Sequence, residues 1–181
     1  MAEESTWYDD GLRFVQGVYN KGGWAAVDKV YASPPDSTSQ ILHPELYAAH
    51  VEPVALTVPA VPTSLSGWKL TMQDTMGELQ LRIWLEGPGG AGQSSAAADA
   101  VSNWAGDRIG LYEGPNGQWA VVLNTAWRTA AGRDAFNEAA QQTVSALGDQ
   151  YRICGDTTHV NIAIASSEAL VPEFIACNTM G

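Results

Sequence analysis

Ile109-Gly110-Leu111-Tyr112-Glu113-Gly114-Pro115-Asn116-Gly117-Gln118-Trp119-Ala120-Val121-Val122-Leu123 reads as two strands folded back on a tight turn. Ile109 and Leu111 before the turn, and Trp119, Val121 and Leu123 after it, recur at every second position, the period of a strand with one buried face. The connection Gly114-Pro115-Asn116-Gly117 ends in Asn-Gly, the strongest short hairpin signal. An antiparallel pair at the centre of the chain sets the fold class, and the neighbouring segments are read around it.

Downstream, Ala130 to Leu147 reads as a long helix with Phe136, Ala139, Ala140, Val144 and Leu147 on one side and Gly148 closing it. Val160, Ile162 and Ile164 alternate with polar or small residues and give a further strand. Ser167 to Ala176 reads as a short terminal helix. Upstream, Ser94 to Trp104 reads as a helix, with Ala97, Val101 and Trp104 on one face. Gly87 to Gly92 reads as a flexible glycine loop. Gly77 to Leu85 has strand period but helix-forming residue types, and the residue types decide for helix. Trp68 to Met72 and Val54 to Val58 read as strands, the second followed by an extended connection through Pro59 and Pro62.

Residues 7–20 read as a helix with Tyr8, Leu12, Val15 and Tyr19 as its apolar stripe, widened by Phe14 and Val18. Gly22-Gly23 ends it, and a second helix runs from Trp24 to about Tyr31 until Pro34-Pro35 breaks it. Ser37 or Thr38 caps a third helix through Leu42, stopped by Pro44. These elements predict an α+β protein: a helical subdomain over residues 1–51, then an α+β sheet domain over 52–181, together one compact unit. Its sheet is mostly antiparallel and packed with helices on one face.

The chain has 181 residues and a formal net charge of −11. That balance repels a phosphate backbone and disfavours nucleic acid. It suits solubility by like-charge repulsion or, as the sharper alternative, a cationic partner or metal ions. No stretch of 18 apolar residues marks a membrane span. Met1 to Thr6 is acidic and polar, the opposite of a secretory signal. Either the chain is cytoplasmic or it begins after a removed region. Cys154 and Cys177 are too few for a disulfide framework. They form one bridge in an oxidising compartment or are two small buried apolar side chains.

No His-Glu-x-x-His helix is present, so no metal ligand and no cofactor is assigned. His43, Glu45 and His50 are close in sequence but match no standard metal spacing, and His43 reads as a structural residue in a packed turn. Asp107 and Arg108, at the expected join of helix and strand, read as a structural ion pair, with Asp107 as a catalytic acid in the alternative. The candidate catalytic residues are His43, Glu45 and Asp107. Glu78 and Glu113 are further carboxylates without a visible partner. No nucleophile elbow or phosphate loop occurs.

Several motifs together resemble one family: Gly22-Gly23-Trp24-x-Ala26-Val27, Pro34-Pro35-x-Ser37-Thr38, Gln40-Ile41-Leu42-His43-Pro44-Glu45, Thr75-Met76-Gly77-Glu78, Trp104-x-Gly106-Asp107-Arg108 and Thr125-Ala126-Trp127. The chain is similar to the C-terminal region of a family of uncharacterised exported bacterial proteins whose longer members look like zincin-type metallopeptidases. The resemblance implies an extracytoplasmic protein. It also implies that Gln40 to Glu45 would pack beside a cleft, with His43 near an oxyanion. The zinc ligands of those longer members have no counterpart here. The expected function is therefore a non-catalytic binding or structural domain of that lineage. The alternatives are a hydrolase with an unfamiliar site around His43 and Glu45, and an interaction subunit that completes a site with a partner chain. The partner would be a protein or peptide.

Overall fold

A computed structural model describes residues 3–87, 94–148, 150–175 and 177. The chain divides into two compact units, Met1–Pro53 and Val54–Gly181.

The first unit is helical. Helix α1 spans Glu3–Ala32, but Gly22 and Gly23 have non-helical dihedrals and split it into two segments at the expected place. Gly23 has φ +62°, a conformation that glycine adopts without steric cost. Helix α2 (Thr38–Leu42) is capped by the Ser37 side chain, which accepts from Gln40 N–H. Pro44 stops α2 and also opens α3 (Pro44–Ala48), a helix absent from the sequence reading. Proline suits that first position because its missing N–H would have no helical partner there. Buried Gln40 ties the unit together. Its Oε1 accepts from Asp36 N–H at 2.7 Å, and its Nε2 donates to Val51 O at 2.9 Å. Phe14 meets Tyr47 edge-on at 5.4 Å, and the Tyr47 hydroxyl donates to Ser33 O.

The second unit is built on a five-stranded antiparallel sheet, β1 (Lys69–Asp74), β2 (Trp104–Glu113), β3 (Trp119–Trp127), β4 (Tyr151–Gly155) and β5 (His159–Ala165), in the order β1-β2-β3-β5-β4. The expected hairpin is β2-β3, with Ile109 opposite Leu123 and Leu111 opposite Val121. Asn116 and Gly117 take φ values of 58° and 75° in its turn, as an Asn-Gly connection requires.

One sheet face carries helices α4 (Gly77–Glu86), α5 (Ser94–Val101) and α6 (Ala130–Val144). Leu81, Leu85, Trp104, Leu123, Phe136 and Ile162 are buried there, and Trp127 stacks on Phe136 at 4.3 Å. The opposite face is also covered, which corrects the expectation of helices on one face only. It packs against Trp68 and the terminal helix α7 (Val171–Phe174), with Tyr112 and Phe174 at 4.7 Å.

Three further expectations change. Val54 to Val58 joins no strand. The segment runs as an extended strap over β2 and β3, held by Val54 N–H to Ala105 O, Asn124 Nδ2 to Thr57 O and Tyr112 hydroxyl to Pro59 O. Gly106 makes this fit, because a Cβ there would overlap the Val54 carbonyl. Helix α5 ends at Val101 rather than Trp104, which instead begins β2. Strand β4 was not anticipated. Apart from Gly87, the expected glycine loop lies outside the described residues.

Candidate functional site

Asp107 is the candidate residue with the most developed surroundings. It lies on β2, is 3% exposed, and faces Thr125 of β3. Its Oδ2 accepts from Met76 N–H at 2.8 Å. Its Oδ1 accepts from Gly77 N–H at 2.8 Å and from the Trp104 indole N–H at 2.9 Å. The Met76 and Gly77 amides belong to the first turn of α4, which has no side-chain cap of its own. Asp107 therefore caps α4 from 30 residues away, satisfying donors that a helix start leaves unpaired. Its partners are amides and an indole, which replaces the expected pairing with Arg108. Adjacent strand residues point to opposite faces, so the two side chains diverge. Burial pushes the Asp107 carboxyl above the usual aspartate range. The three N–H donors pull it back in part, and Asp74 adds a smaller upward push.

The motifs Thr75-Met76-Gly77-Glu78 and Trp104-x-Gly106-Asp107-Arg108 thus meet at one joint between helix and sheet. Thr75 Oγ1 also reaches Asp107 O at 3.4 Å, and Glu78 is buried in the first turn of α4. Glu113 is exposed at the end of β2.

His43 and Glu45 belong to the first unit and come together, with His43 Nδ1 3.8 Å from Glu45 Oε1. Glu45 is largely exposed. His43 occupies the junction of α2 and α3, where its N–H donates to Ser39 O. His50 packs its ring against Tyr47 at 6.4 Å. Among the described residues, no three His, Cys, Asp or Glu side chains form a group able to hold a metal ion.

A second acid–histidine pair lies in the β4-β5 turn. Asp156 Oδ1 is 2.9 Å from His159 Nδ1 and accepts from the Thr158 and His159 amides. The Thr158 amide and then the His159 ring hold the Asp156 carboxyl below its usual range. Cys154 on β4 is bridged to Cys177, with Cα atoms 5.6 Å apart. Of the two readings left open by the sequence, the disulfide is the one present.

An open apolar space lies in the helical unit. A groove of about 280 Å³ is lined by Gly11, Phe14 and Val18 from the first half of α1, Val27 and Val30 from the second, and Pro34. Val15 of the expected apolar stripe also lines it, and the rest of that stripe faces solvent: Tyr8 is 80% exposed and Leu12 63%, with Tyr19 also exposed. Phe14, read from sequence as a flank of that stripe, is instead the buried position. Trp24 and Tyr31 add to the exposed apolar surface. A smaller apolar cleft of about 80 Å³ lies on the helix-bearing sheet face, between Met76, Trp84, Ile109 and Val121. Neither feature was read from the sequence. The signal was present, since Tyr8, Leu12, Val15 and Tyr19 were identified, but periodicity cannot say whether an apolar stripe is covered.

The profile of one protein family, described as a domain of unknown function (DUF8575), matches residues 68–171. That span runs from the edge of β1 to the start of α7 and takes in more than half of the chain, which therefore belongs to this family. No curated protein and no solved structure matches the chain.

Proposed function

We propose that this chain is a non-catalytic binding domain of the zincin-like peptidase lineage suggested by its sequence motifs, acting by holding a protein or peptide partner. The observation that carries the reading is the open apolar groove of the helical unit, which the exposed Tyr31 lines, and the exposed Tyr8 and Leu12 on the same helix. Exposed apolar surface beside a groove is a mark of interaction sites. The candidate catalytic groups support the same reading. The Asp107 oxygens are engaged by the start of α4 and by Trp104. His43 and Glu45 sit at a helix junction. The sheet domain then serves as the scaffold.

The lineage itself rests on the motif resemblance. The Cys154–Cys177 bridge supports the extracytoplasmic location that the resemblance implies, because disulfides persist in oxidising compartments. The interaction-subunit reading is favoured over the hydrolase by the same exposed apolar surface.

The test is a peptidase and esterase assay of the full chain with and without added zinc, beside the His43→Ala and Asp107→Asn variants. The expected result is no turnover above buffer in any sample. Hydrolysis by the wild-type chain that either variant abolishes would overturn the proposal.

A further inference from the structure

We infer that the groove of the helical unit takes a basic amphipathic helix from another protein, an assignment that rests on the binding role proposed above. The floor is apolar along its length. Gly11, Phe14 and Val18 mark out two helical turns, about 10 Å. That length matches the i, i+3/i+4, i+7 anchors of a helix lying in a groove. Tyr8, Leu12 and Tyr19, on the same helix segment as Gly11, Phe14, Val15 and Val18 of the groove, are exposed. A small apolar molecule would leave those side chains in water, whereas a helix can cover them.

Charge selects the partner. Residues 1–53 carry eight carboxylates (Glu3, Glu4, Asp9, Asp10, Asp28, Asp36, Glu45, Glu52) against three cations (Arg13, Lys21, Lys29). Asp10, Asp28 and Asp36 each adjoin a groove residue in sequence. Asp10 Oδ2 is buried and accepts no hydrogen bond among the described residues, and Asp10 Oδ1 is 3.5 Å from Arg13. A second copy of this chain would bring another net charge of −11 to the contact and be repelled. A helix with lysine or arginine beside its apolar stripe gains both burial and complementary charge.

Two glycines supply a matched test. A Cβ at Gly11, which lines the groove, or at Gly17, which is not among its lining residues, meets no atom within 4 Å. A side chain at either position therefore starts in open space, and leucine raises helix propensity at both. Only Gly11→Leu fills the groove. The probe is a synthetic helix with leucine at i, i+3, i+4 and i+7 and lysine elsewhere, titrated into each full-length variant by calorimetry. A counterpart with glutamate in place of lysine is titrated in parallel.

The wild-type chain should bind the lysine peptide and not the glutamate peptide. Gly11→Leu should weaken binding by about tenfold or more, and Gly17→Leu should stay within about twofold of wild type. Equal binding by the two glycine variants would overturn the assignment, as would preference for the glutamate peptide. Light scattering that shows a wild-type dimer lost in Gly11→Leu would overturn it in favour of a second copy. Turnover in the hydrolysis assay would end the non-catalytic reading whatever the peptides do. A failed titration without turnover would end only the assignment of the partner.

Discussion

Removing the Asp107 carboxylate should destabilise the sheet domain. In Asp107→Ala the amides of Met76 and Gly77 and the indole N–H of Trp104 lose their acceptor, and alanine supplies none. A buried donor left unsatisfied costs about 1–3 kcal/mol. Relief of the carboxylate's own desolvation offsets part of that sum, leaving a net loss of about 3 kcal/mol. With a urea slope of about 2 kcal/mol per molar, the midpoint should fall by about 1.5 M. Asp107→Asn keeps one oxygen but turns an NH2 group toward a donor, so its loss should be about half as large. Trp104→Phe should cost less in the Asp107→Ala background than in wild type, since that donor has already lost its partner. The pH dependence has a definite sign. A carboxyl whose native pKa is raised takes up its proton first in the native state. Its contribution therefore stabilises the fold as pH falls through the native value, and is complete below the ordinary value of 3.8. Asp107→Ala should lose that acid-side gain. An Asp107→Ala chain within about 0.5 kcal/mol of wild type would refute the capping argument.

Reduction of Cys154–Cys177, or Cys177→Ser, should lower stability by about 3 kcal/mol, the chain-entropy value for a loop of this length; the sequence separation is 23. Intact mass with and without reductant checks the bridge, and urea unfolding checks its effect. Burial pushes the Tyr112 hydroxyl up to about 12, and that hydroxyl donates to Pro59 O. Its contribution should hold below pH 10 and be lost as pH rises through about 12; Tyr112→Phe should remove that step from an alkaline unfolding series. His43→Ala should lower thermal stability by less than about 1 kcal/mol, as an ion pair whose carboxylate is largely exposed is weak. Unchanged unfolding together with loss of a bound ligand would contradict a structural role for His43.

What the sequence revealed and what it hid divide along the range of the interactions. The β2-β3 hairpin, α6 with its Gly148 stop, the break at Gly22-Gly23 and the Ser37 cap are all local devices, set by period or by a residue's own dihedrals. The strap at Val54–Val58 has strand-like residues, yet Gly106 lets it cross the sheet face instead of pairing at an edge. Trp104 has the apolar spacing of a helix end, but it starts β2, opposite Trp127, and its indole donates to Asp107. Strand β4 is five residues with a half-exposed tyrosine and a charged arginine, too short for a period to stand out. The role of Asp107 depends on amides 30 and 31 residues away, a relation that no window of neighbours contains.

The same division bears on how the motifs should be read. Gln40 bridges Asp36 and Val51, Ser37 caps α2, and Pro44 both ends α2 and begins α3. Gly106 admits the strap, and Asp107 joins α4 to β2. Each of these motif residues performs a non-local or junctional task that few other residue types could perform. In the run Gln40-Ile41-Leu42-His43-Pro44-Glu45, Gln40 and Pro44 thus have folding tasks, while Ile41 lines the groove. The groove is different. Gly11, Val18, Val30 and Pro34 leave space unfilled, and Tyr8 and Leu12 stay in water at a cost to the isolated chain. Folding does not require that exposure; a partner that covers it would. The place to look for activity in this protein is thus the surface its own folding leaves open, and the contrast between Gly11→Leu and Gly17→Leu isolates that surface without disturbing the joints.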